Sequence, residues 1–160
     1  MKMKAQKNKV NKTFKEAVEA TLEVHNCFID GKQAIKREDR DKVELTDPRK
    51  CGGSLFIDKC LFDQGLYPQA SRWDYAIDYN GEAYFFEVHP AITGQVVTVI
   101  SKLHWLRNWL IQKAPEINKM KAAYAFYWVQ TNGCHILPNS SQARALRESG
   151  LKPISKLVLK

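Results

Sequence analysis

Apolar and polar residues alternate from Trp73 to Tyr79, and an aromatic and β-branched run follows from Ala83 to Val88, with Asn80-Gly81 between them. Period-two alternation predicts strands, and Asn-Gly tolerates the positive φ that a two-residue primed turn needs, so the stretch reads as a β-hairpin. Upstream, Phe14, Val18, Thr21, Leu22, His25 and Ile29 recur at helical spacing while Glu16, Glu19 and Glu23 fall off that stripe. This predicts one amphipathic helix from Thr13 to Ile29, ended by Asp30-Gly31. Lys32–Arg49 is charged and mixed in sign and reads as a loop with at most a short helix. Cys51-Gly52-Gly53-Ser54 then opens a strand expected over Leu55–Leu61, and Phe62–Ser71, with Gly65 and Pro68, reads as a loop.

Pro90 is expected to close the second hairpin strand, and Thr93-Gly94 to open a long helix reaching about Lys113, where Ala114-Pro115 stops it. The helix's buried stripe is Val96, Val99, Ile100, Leu103, Leu106, Arg107 and Leu110. Lys102, Trp105 and Trp109 lie to one side of it, and two tryptophans off the core face call for covering loops or for a homodimer or protein partner. Ala122–Gln130 is apolar throughout and predicts a strand buried on both faces. Asn132-Gly133 reads as a second hairpin-type turn into Cys134–Leu137. Ser140 or Ser141 caps a short helix that Gly150 ends, and Leu151–Leu159 reads as an edge strand. The order is helix, three strands, long helix, strand and a short αβ tail. It predicts an α/β fold with a mixed central sheet and an α-β-β-β-α-β core, a single domain over residues 13–160.

The hairpin carries Asp74, Asp78, Glu87 and His89. Around a two-residue turn at Asn80-Gly81, Asp74 falls opposite Glu87, and paired side chains share one face with Cβ atoms ~4.5–5.5 Å apart. His89 points to the same face by alternation, and so does Asp78, which is expected to be solvated beside the turn. Like charges placed opposite one another are unfavourable unless something binds between them. Two carboxylates open to water suit Mg²⁺ or Mn²⁺, ions that favour oxygen ligands and retain waters. An ion cluster satisfied by Arg72 or Lys102 would serve the same charges without a metal.

Composition adds an electrostatic layout. The net charge is +8. Residues 1–12 carry five lysines and no acid, and are expected to form a basic flexible tail. An acidic centre lies between basic ends, which suits a metal-dependent enzyme acting on a polyanion. No apolar run is long enough to span a bilayer and the Lys-rich start has no apolar segment behind it, so a cytoplasmic protein without membrane association is expected. In that compartment Cys27, Cys51, Cys60 and Cys134, which match no zinc-ligand spacing, are expected as free thiols. A zinc site from His25, His89 and cysteines is the lesser alternative.

Asp74 and Glu87-x-His89 in a strand–turn–strand, after an acidic helix and before a long helix and a buried strand, resemble the PD-(D/E)XK nuclease superfamily. The resemblance covers about residues 14–130 and implies a restriction-endonuclease-like fold. It implies metal-dependent hydrolysis of DNA phosphodiesters, with Asp74 and Glu87 as metal ligands and Glu19, or else Glu23, as a helix glutamate assisting them. The sequence departs from the family at His89, which stands where the E-x-K lysine belongs. Lys102 on the following helix is the candidate replacement, and either Lys102 or His89 would orient or activate the attacking water. Arg72, Arg144, Arg147 and the basic tail are the candidate DNA contacts. The alternative is a nuclease-like module without catalysis that binds nucleic acid or a protein.

Overall fold

The computed structural model describes residues 12–160. Of the expected tail only Lys12 falls within them, and its ammonium lies 3.1 Å from Glu116. Five strands form a mixed sheet in the order β2 (Cys51–Phe56), β3 (Tyr75–Tyr79), β4 (Glu82–Ile92), β5 (Lys121–His135) and β6 (Pro153–Ile154). β2, β3 and β4 are an antiparallel meander, and β4–β5 and β5–β6 are parallel. β1 (Val43–Leu45) and β7 (Leu157–Leu159) make a separate two-stranded parallel sheet. The helices are α1 (Phe14–Glu19), α2 (Ile57–Asp63), α3 (Val96–Gln112), α4 (Pro115–Asn118) and α5 (Ser141–Ser149). Among the described residues no helix is long and apolar enough to cross a membrane.

Alternation along β3 and β4 divides the core. Ala76, Ala83 and Phe85 face a cluster that includes Phe14 and Val18 of α1 and Val99, Leu103, Leu106 and Leu110 of α3. Tyr75, Ile77, Tyr79 and Phe86 face the opposite cluster with Val43, Leu157 and Leu159. The expected succession α1-β2-β3-β4-α3-β5 is present, with α2 inserted between β2 and β3.

Several local expectations are corrected. The helix expected over Thr13–Ile29 covers only Phe14–Glu19, followed by a 3-10 turn at Leu22–Val24. The capping box between Thr13 and Glu16 fixes its start. Thr21 then donates its hydroxyl to the Ala17 carbonyl, the chain turns, and Leu22 and His25 are left exposed. The strand expected over Leu55–Leu61 ends at Phe56, and α2 begins at once because Ile57, Cys60 and Leu61 bury at i, i+3 and i+4 spacing. β4 runs through Pro90 to Ile92. Asn132-Gly133 makes no hairpin: both adopt positive φ as a two-residue bulge within β5, between the pairs Pro90↔Thr131 and Ala91↔Cys134. β5 is also not buried on both faces throughout, since Tyr124 is exposed. The C-terminal stretch divides into β6 and β7, on different sheets.

The cysteines are corrected too. The turn after α1 brings Cys27 beside Cys60 of α2 with their Cα atoms 6.1 Å apart, and the two form a disulfide. Cys51 and Cys134 are free.

Candidate functional site

The hairpin turns at Asn80 (φ 53°) and Gly81 (φ 80°), the double positive φ of a primed turn. Its ladder pairs Tyr75 with Phe86 and Ala76 with Phe85, the predicted register, and so brings Asp74, just before β3, beside Glu87. The Asp74 backbone N–H donates to Glu87 Oε2 at 3.0 Å, and the Val88 N–H donates to Asp74 Oδ2 at 3.2 Å. Lys102 completes the group. α3 packs Val99, Leu103 and Leu106 against the sheet, and the ammonium of Lys102 bonds and ion-pairs with Glu87 Oε1.

Glu87 is fully buried and Asp74 half-buried. Burial, and then the neighbouring charge of Asp74, hold the Glu87 carboxyl well above the ordinary carboxylate range, against the pull of Lys102. Burial raises Asp74 as well, opposed chiefly by Lys102. Burial alone would lower Lys102, but the carboxylates of Glu87 and Asp74 outweigh it and hold the ammonium protonated above its usual range. Two carboxyls thus face one cation in a water-poor setting, and the group accommodates further positive charge.

Asp58 and Arg72 flank this group. α2 is tied to it by the Ile57 N–H, which donates to the Asp74 carbonyl at 2.8 Å. Asp58 in the first turn of α2 accepts from Arg72 Nε at 2.7 Å, and its charge raises both Asp74 and Lys102. Arg72 also donates to the Tyr67 carbonyl at 2.6 Å and lies over the Phe62 ring. A guanidinium so engaged holds the loop before β3. Asp58 went unnoticed in the sequence because Leu55–Leu61 read as a strand. The helical spacing of Ile57, Cys60 and Leu61 was the available signal.

His89 lies on the expected face, but its Nε2 is 2.8 Å from Gln95 Oε1 and its ring edge meets Trp128. It makes no hydrogen bond to Asp74 or Glu87 among the described residues. Asp78 is not solvated but buried, its Oδ2 directly over Gly52 and its Oδ1 without a hydrogen-bond partner among the described residues. Burial pushes its carboxyl up to about 6, against the Gly52 N–H. Glu19 is exposed on α1 beside Lys15 and His25 and does not join the pair. Glu23 turns inward instead, accepting from Tyr67 Oη at 2.8 and 2.9 Å and from Trp109 Nε1 at 2.8 Å. Trp105 stacks on Trp109 and meets Tyr67 edge-on, which leaves Trp109 buried and Trp105 half-buried. Arg144 and Arg147 are exposed on α5, capped by Ser140 and ended by Gly150 as expected.

Among the described residues no three or more histidine, cysteine, aspartate or glutamate side chains converge as a metal-holding set. The zinc alternative loses two thiols to the disulfide, and His25 bonds the Leu22 carbonyl instead. Comparison with protein-family models, with curated proteins and with solved structures finds no match.

Proposed function

We propose that this protein is a metal-dependent nuclease that hydrolyses DNA phosphodiesters, built on a restriction-endonuclease-like variant of the α/β fold. The observation that carries the reading is the convergence of Asp74 just before β3, Glu87 of β4 and Lys102 of α3. The hairpin register and the succession α1-β2-β3-β4-α3-β5 support it further.

The donor set fits a hard divalent cation. Two adjacent carboxyls with raised pKa values gain from an added positive charge, and Mg²⁺ commonly binds through one or two carboxylates while keeping several waters. Asp74 and Glu87 would hold Mg²⁺ or Mn²⁺, which when bound supplies an acidified water and charge neutralisation at a phosphoryl oxygen. Lys102 provides the permanent positive charge that His89 cannot, and its pairing with Glu87 supports the replacement of the E-x-K lysine from the helix. Held protonated, Lys102 donates hydrogen bonds and offsets phosphate charge rather than accepting a proton. His89, oriented by Gln95 on the same face, is positioned to hydrogen-bond the attacking water. Arg144, Arg147 and the lysines of residues 1–12 would contact the DNA backbone, giving salt-dependent, largely sequence-independent affinity.

One observation favours a second reading. Lys102 already satisfies Glu87, which suits a non-catalytic module that binds nucleic acid or a protein. Cleavage of plasmid and single-stranded DNA with Mg²⁺ or Mn²⁺ separates the two. The nuclease reading expects cleavage by the wild type and none by Glu87→Gln. Wild-type protein that binds DNA without cutting it supports the module.

A further inference from the structure

Beside the β2–α2 junction, a second concavity is built from different chemistry. The chain from Ile29 to Arg40 closes the outer edge of β2: Ile29 and Ser54 exchange backbone hydrogen bonds, and the Ala34 N–H donates to the Ser54 hydroxyl at 3.1 Å. Between this segment, Phe56 and α2 lies a partly open cavity of about 440 Å³. Its apolar lining is Ala34, Ile35, Phe56 and the Cys27–Cys60 disulfide, with exposed Ile29 at the edge.

The mouth is cationic. Lys36, Arg37, Arg40 and Lys59 line it against a single acid, Asp63, whose carboxylate Lys59 engages at 2.8 Å. None of Lys36, Arg37 and Arg40 is in an ion pair among the described residues. Arg40 spends two of its donors on the carbonyls of Ile35 and Gln33, which hold its guanidinium at the rim. The Lys36 ammonium sits over the Phe56 ring, 5.6 Å from its centroid, which fixes positive charge where the apolar wall meets solvent.

We propose that this cavity binds a small amphipathic anion, with its apolar body against Phe56, Ile35 and the disulfide and its carboxylate or phosphate among Lys36, Arg37 and Arg40. The volume lies in the range of small-molecule sites, and an apolar interior with a few convergent polar groups is their usual lining. A neutral apolar compound would leave the cations unused, and a bare anion would leave the walls wet. The ligand's two halves match the two halves of the site. The proposal does not depend on the nuclease reading, because its readout is binding without metal or DNA.

Calorimetric titration of the full-length, oxidised protein with 1-naphthyl phosphate, 1-naphthoate, neutral 1-naphthol and inorganic phosphate tests it. Saturable binding is expected for the two naphthyl anions, with naphthol and inorganic phosphate each about tenfold weaker or more. Tighter binding of the phosphate ester than of naphthoate assigns the headgroup to a dianion, and the reverse order to a carboxylate. The exposed pair Lys36→Glu/Arg37→Glu should weaken both anions about tenfold and leave naphthol unchanged, as two removed attractions and two added repulsions at a rim predict. Equal binding of all four compounds, anion binding indifferent to the double substitution, or no saturation would overturn the proposal.

Discussion

Gly52 and Asp78 claim the same space. A Cβ built on Gly52, the extra residue where the β2–β3 register shifts, would lie 1.8 Å from Asp78 Oδ2. The backbone of Gly52 needs no positive φ, so the glycine is required by the carboxyl and not by the turn. Gly52→Ala is therefore expected to destabilise the fold by about 1–3 kcal/mol. In an Asp78→Ala background the same change should cost clearly less. Urea unfolding of the four proteins of that cycle measures the coupling, and additive losses would refute the shared space.

Asp78 also predicts a pH dependence. Burial raises its carboxyl to about 6 in the folded state. Between about pH 4 and 6 the unfolded chain has lost this proton while the folded protein keeps it, so stability falls as pH rises through that window. The loss is on the order of 1–2 kcal/mol, discounted for partial solvent screening. Asp78→Asn should match the wild type near pH 4 and exceed its stability at pH 7, as read from urea midpoints at the two pH values.

The hairpin register was legible in the chain because it depends on local chemistry alone. Asn80-Gly81 sets the turn, and the turn sets Asp74 beside Glu87. The same holds for α3 and for the Ser140-capped, Gly150-ended α5. What was not legible depended on distant partners. Glu23 leaves the expected helical face because Tyr67 and Trp109 receive it, and the α1 segment stops short with it. Cys27 finds Cys60 only after that turn is made. Asn132-Gly133 carries the same backbone preference as Asn80-Gly81, yet β5 continues past it beside β4, so the preference is absorbed as a bulge. Gln95 was hidden for the same reason, since it is brought to the site by its partner His89.

Removing Lys102 should expose the charge imbalance beneath it. Lys102→Ala leaves Glu87 and Asp74 buried without their cation, and a loss of about 2–4 kcal/mol at neutral pH is expected. The loss should shrink as pH falls, because protonated carboxyls no longer need the ammonium. Adding Glu87→Gln to Lys102→Met should restore most of the stability in urea unfolding. A loss independent of pH would indicate packing rather than charge.

The Cys27–Cys60 bridge closes a loop across a sequence separation of 33. Its reduction is expected to cost about 2–4 kcal/mol, seen as a lower melting temperature in the presence of a reductant. Alkylation of the oxidised, denatured chain should label Cys51 and Cys134 alone, and prior reduction should bring the count to all four cysteines. Four labels without reduction would remove the bridge from the account.

Titration calorimetry with Mn²⁺ asks whether Asp74 and Glu87 hold one cation between them. Saturable binding to the wild type is expected, weakened at least about tenfold in both Asp74→Asn and Glu87→Gln, with the variants' folds verified by circular dichroism. Equal Mn²⁺ affinity in wild type and variants, or no wild-type binding at millimolar metal, would contradict it.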